Sequence, residues 1–94
     1  MGALQMGGHE LLECPVRLDI VANFTVPKSY SKVLRADLIG KPYVGRADWD
    51  NIAKIVCDGL NGIVWTDDRY VTIGQVTKLY AFEHSLLVTI WQLT

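Results

Sequence analysis

The sequence has no apolar run approaching the roughly 20 residues a helix needs to cross a bilayer, which excludes a helical membrane span. Its opening, MGALQMGGHELLE, has neither a basic start nor an apolar core of signal-peptide length. The expectation is a cytoplasmic protein with no membrane partner. Cysteine is scarce: Cys14 and Cys57 lie far apart, form no CxxC unit, and read as thiols of a reducing compartment. His9 and His84 have no ligand-spaced partner and read as surface or turn histidines. HExxH, GxxxxGK[ST], GxSxG and zinc-type Cys/His spacings are all missing. Repeats, linkers and low-complexity tracts are missing too.

Charge of one sign is also lacking, since the net charge is −1. Its distribution is uneven, because only Arg69 and Lys78 follow the acidic stretch described below. The first half is therefore locally basic and suits a polyanion, although scattered solubilising charge gives the same pattern.

What is present is an ordinary globular balance: 94 residues, 50% hydrophobic and 20% charged. This suits one domain over residues 1–94, with 1–13 irregular. Val16, Leu18, Ile20, Ala22 and Phe24 alternate along a half-buried strand. SYSKVLRADLIG reads as a short helix capped by Ser29 or Ser31 and stopped by Gly40. KPYVGR is a loop. DNIAKIVCDGLNG is the clearest helix, with Asp50 as N-cap, Asn61-Gly62 as terminator and Ile52, Ile55, Val56 and Leu60 as apolar stripe. Asp50, Lys54 and Asp58 share a polar face at i, i+4 and i+8. After the apolar run IVW and the TDD turn, YVTIGQVTKLYAF and SLLVTIWQL flank EHS and predict an antiparallel hairpin. The fold class is α+β: a small mixed or antiparallel sheet with one or two helices packed on one face.

The stretch ADWDNIAKIVCDGLNGIVWTDD holds Asp48, Asp50, Asp58, Asp67 and Asp68, half of the ten acidic residues, with Lys54 as its lone cation. Capping explains Asp48 or Asp50, and a tight turn explains Asp67-Asp68. The set is harder to explain. Capping needs one carboxylate, and Asp58 occupies a last helical turn, where acids are disfavoured. If the chain returns after IVW, the DD pair would meet Asp48 and Asp50 around one point. Two unit charges about 4 Å apart repel by on the order of 4 kcal/mol at an effective dielectric near 20. A divalent cation would remove that cost, and Mg2+ favours oxygen ligands. In phosphodiester hydrolysis such an ion polarises the phosphoryl oxygen and activates a water. Lys54 would add positive charge near the reacting phosphorus. A calcium EF-hand is excluded, since the central glycine is missing and Gly59 stands where the bidentate Glu belongs.

RADWDNIAKIVCDGLNGIVWTDDRYV resembles the core motif of the RusA-like Holliday junction resolvases: Asp48, Asp50, Asn51, Lys54, Asp58, Leu60, Gly62, Asp67 and Asp68 match it in type and spacing. CPVRLDIVANFTVPKSYSK, VTKLYA and LLVTIWQL extend the likeness over about residues 14–94. The resemblance implies a homodimeric, often prophage-encoded, Mg2+-dependent endodeoxyribonuclease (Mn2+ as substitute) that cuts four-way DNA junctions in recombination and repair. It implies Asp48, Asp50 and Asp68 as catalytic metal ligands and Lys54 as the functional lysine. Asn51, Asp58 and Asp67 are then supporting residues. Lys28, Lys32, Lys41, Arg46 and Arg69 are the expected DNA contacts. Family members carry a further strand, a basic loop and a helix ahead of the segment that begins near Cys14, where this chain has MGALQMGGHELLE. The alternative is therefore a junction- or DNA-binding module with weak or no turnover. A third reading is a metal-dependent phosphohydrolase acting on nucleotides.

Overall fold

The fold is taken from a computed structural model, which describes residues 10–93. The expectations for His9 and for an irregular start at 1–9 lie outside the described residues. Strand β1 (Val16–Thr25) is followed by helices α1 (Lys32–Leu38) and α2 (Trp49–Leu60), a 3-10 turn (Asp68–Tyr70), and strands β2 (Val71–Ala81) and β3 (Ser85–Gln92). The strands form one mixed sheet, and both helices pack on one of its faces.

The alternation in β1 is borne out. Val16, Leu18, Ile20 and Ala22 are buried under the helices, at 2% exposure or less. Each of the larger three contributes about 1.5–3 kcal/mol by leaving water. Val56 of α2, with Val64 and Trp65 beyond it, completes this core, and Ile52, Cys57 and Leu60 pack at its margin. The expected stripe is right for Ile52, Val56 and Leu60. Ile55 is 61% exposed, because α2 turns its Val56 side to the sheet and leaves Ile55 beside it.

Two expected strand features differ. The segments β2 and β3 do not form a hairpin: β1 lies between them, parallel to β2 and antiparallel to β3. The connection Phe82–His84 crosses the end of β1. Its four Cα steps reach at most roughly 14 Å, more than the roughly 9.6 Å of two strand spacings. Hydrophobic demand explains the order, since a strand buried along a whole face needs a neighbour on each edge. The run IVW is not a strand either. Ile63–Trp65 is a turn in which Trp65 makes isolated bridges to Leu12 and Asn61. Trp65 is fully buried, and its indole N–H donates to the Asn61 side-chain oxygen at 2.7 Å, so no polar group is stranded.

Helix ends follow their sequence signals with one shift. Ser31 caps α1, its hydroxyl accepting from the Leu34 N–H at 3.2 Å. Gly40 (φ 83°) and Gly62 (φ 78°) follow the two C-caps in the left-handed conformation that glycine adopts without strain. The N-cap of α2 is Asp48, two residues earlier than the expected Asp50. The described part is elongated, 48 × 23 × 19 Å with a radius of gyration of 15.6 Å, against about 12 Å for a compact chain of this length.

Candidate active site

Helix α2 begins where Asp48 leaves an extended conformation (φ −77°, ψ 136°). The Asp48 carboxylate makes no capping hydrogen bond. Asp50, in the first turn, accepts from the Asn51 backbone N–H at 2.9 Å. Asp48, Asp50, Asn51, Lys54 and Asp58 are all exposed. The entry to the helix is held by a residue that the sequence reading passed over. Lys78 of β2 donates from Nζ to the Ala47 carbonyl at 2.7 Å and lies 5.7 Å from the centre of the Tyr43 ring. Lys78 pairs with buried Ala22, which puts a cation on the core-facing side of β2, a register set by the tertiary pairing of β1 with β2.

The DD pair divides into two roles. Asp67 caps the 3-10 turn, its Oδ1 accepting from the Arg69 N–H at 2.9 Å. Asp68 is the first residue of that turn, half-buried, and free of this duty. It lies close enough to α2 to act on Cys57. Burial, and then the charges of Asp68 and Asp58, push the Cys57 thiol above its ordinary value. Both cysteines are free thiols.

The expected gathering of Asp48, Asp50 and Asp68 around one point does not occur within one chain. Among the described residues no three His, Cys, Asp or Glu side chains lie close enough to hold an ion. The cause is chain direction. The first residue of β2, Val71, lines a pocket with Cys57 in the second half of α2, and Lys78, further along the strand, reaches the Ala47 carbonyl before the helix, so β2 runs opposite to α2. Asp68 therefore sits toward the far end of the helix. Cys57 is seven residues beyond Asp50, roughly 10 Å along the axis at 1.5 Å per residue. In kind the donors fit a hard divalent cation: ionisable oxygens, one of them uncommitted at Asp48. In number, Asp48 and Asp50 form a pair of the sort that magnesium commonly takes, with substrate phosphates and water completing the shell.

The cations stand apart from the acids. Among the described residues, ion pairs join only Arg17 to Asp19 (3.0 Å) and Lys41 to Asp37 (3.3 Å). Lys54 is thus unpaired, although Asp50 and Asp58 share its face. Arg46 is exposed in the loop before Asp48. Arg69 donates to the Tyr70 hydroxyl at 3.0 Å, and this bond pushes its guanidinium above the ordinary value. Lys28 and Lys32 line a cavity with Arg35 and Phe82, two residues absent from the expected DNA contacts. His84 is exposed, its Nε2 3.1 Å from the Thr25 hydroxyl, in keeping with a turn histidine.

A family model described as Endodeoxyribonuclease RusA matches residues 2–91. The match reaches further toward the N-terminus than the likeness of 14–94 read from the motif. No curated protein matches the chain.

Proposed function

The chain belongs to the RusA endodeoxyribonuclease family, and from that premise we propose that it is a Mg2+-dependent endonuclease, with Mn2+ as substitute, that resolves four-way DNA junctions. The observation that carries this reading is the family match over 2–91, with Asp48, Asp50, Asn51, Lys54, Asp58, Asp67 and Asp68 all in place. The local geometry supports it, because Asp48 spends no carboxylate oxygen on capping while Asp67 does.

In this proposal Asp48 and Asp50 are the metal ligands that one chain brings together, and Asp68, which stands apart from them among the described residues, completes the ligand set in the homodimer. The ion would supply phosphoryl polarisation and a water of lowered pKa. Lys54, exposed and without an ion-pair partner among the described residues, one turn after Asp50, places positive charge where the transition-state phosphate becomes more negative. Asn51, Asp58 and Asp67 are supporting residues. Asp67 holds the turn that presents Asp68. Lys28, Lys32, Lys41, Arg46 and Arg69 contact DNA phosphates, which position the substrate without reading its sequence.

Resolution needs two symmetric cuts, so the working unit is a homodimer. Uncovered apolar side chains support this, among them Ile55 (61% exposed), Leu86 (55%) and Leu87 (61%). A cytoplasmic location suits DNA as substrate, and among the described residues no helix is long and apolar enough to cross a membrane. Recombination and repair are the processes in which such junctions arise.

The variant Asp68→Asn is expected to bind a labelled junction and leave it uncut with Mg2+. Equal cutting by variant and parent would overturn the assignment. One observation favours the second reading, a module that binds junctions without turnover: no three ligands meet among the described residues of one chain. A shifted gel band with no nicked product under either metal would support it.

A further inference from the structure

The cavity beside α1 gathers features that are far apart in sequence. About 340 Å³ in volume, it is lined by Lys28, Lys32 and Arg35 together with Val26, Ile39 and Phe82. No Asp or Glu lines it, and among the described residues no ion pair engages its three cations. Lys32 and Arg35 stand at i and i+3 on α1, and so on one side of it. Arg35 is half-buried. Phe82 contributes a ring 80% exposed, on the short connection that crosses the end of β1.

Three unopposed cations in a concavity concentrate positive potential on an anion. A flat apolar ring at the same place offers a stacking surface. The volume falls at the small end of ligand sites, which run from about 300 to 1,000 Å³. We propose that this cavity holds one unpaired nucleotide of a DNA strand, its phosphate against Lys28, Lys32 and Arg35 and its base stacked on Phe82. A base inside a duplex is already stacked and paired, so the cavity favours strands that are open at a crossover over linear duplex. This deepens the DNA-cutting reading above and rests on it for the class of ligand.

The test compares the whole chain, without metal, on a labelled oligothymidine and on an abasic strand of equal length and charge. The parent is expected to prefer the base-bearing strand by roughly tenfold, within the range measured for aromatic stacking on single strands. Phe82→Ala should abolish the preference and Phe82→Trp should keep it. Arg35→Gln should weaken both strands alike. Equal binding of the two strands by the parent, or an undiminished preference in Phe82→Ala, overturns the proposal. Junction cleavage is read separately. Cleavage without a base preference removes only the nucleotide site. A base preference without cleavage sustains the site and removes only the endonuclease reading.

Discussion

The acidic stretch around α2 and the basic cavity beside α1 are opposites in organisation. The acids are neighbours in sequence and spread out in space, from Asp48 at the helix entry to Asp68 beside Cys57. The cations Lys28, Lys32 and Arg35 fall within eight positions and stay together in one cavity, where Phe82 joins them from beyond β2. Closeness in sequence therefore becomes closeness in space at the cations and not at the acids, and the fold decides which. A helix separates its own residues at a fixed rise, whereas a crossover connection brings distant segments together.

Three experiments sharpen this contrast. The largest effect is expected from neutralising the cavity. Lys28→Gln, Lys32→Gln and Arg35→Gln together should lower the slope of log affinity against log salt by about 1 for junction DNA, since the three share one phosphate, at 0.7–0.9 per phosphate contact. Salt titration of binding checks this, and an unchanged slope would move the DNA path elsewhere.

A middle-sized effect is expected at the acids. Asp48→Asn should leave metal-free stability unchanged or raised, because Asp48 makes no capping bond. Saturating Mg2+ should then raise the parent's Tm by more than the variant's, since about 2.7 kcal/mol is gained at a hundredfold excess over Kd. Thermal melts with and without the ion decide it. Marked loss of stability in the metal-free variant would return Asp48 to a structural role.

The smallest effect concerns Cys57. Burial, and then the carboxylates nearby, disfavour the thiolate, so its alkylation at mildly alkaline pH should be slow. In a Cys14→Ser background, Asp68→Asn removes one of the charges that raise this thiol. The thiol pKa should fall and alkylation should speed up a few-fold. An unchanged rate-pH profile would place Asp68 away from α2.

Much of the fold was legible in the sequence because local rules govern it. The alternation from Val16 to Ala22, the Ser31 cap and the Gly40 and Gly62 stops all came from short-range sterics and burial. Strand order was not legible. The segments β2 and β3 read as a hairpin because a three-residue connection normally makes one, and nothing local shows that β1 must lie between them. In the same way the motif identified the acids of α2, but the direction of β2 decided where Asp68 would stand. Lys78 shows the remaining gap: both its core-facing place beside Ala22 and its partner, the Ala47 carbonyl, depend on tertiary packing.

The central claim meets its most direct test in one assay: the intact chain with Mg2+ on a synthetic four-way junction, with linear duplex of the same sequence as control. The account predicts paired, symmetric nicks at the crossover and an uncut duplex. An intact junction under both Mg2+ and Mn2+, or equal cutting of junction and duplex, would contradict it.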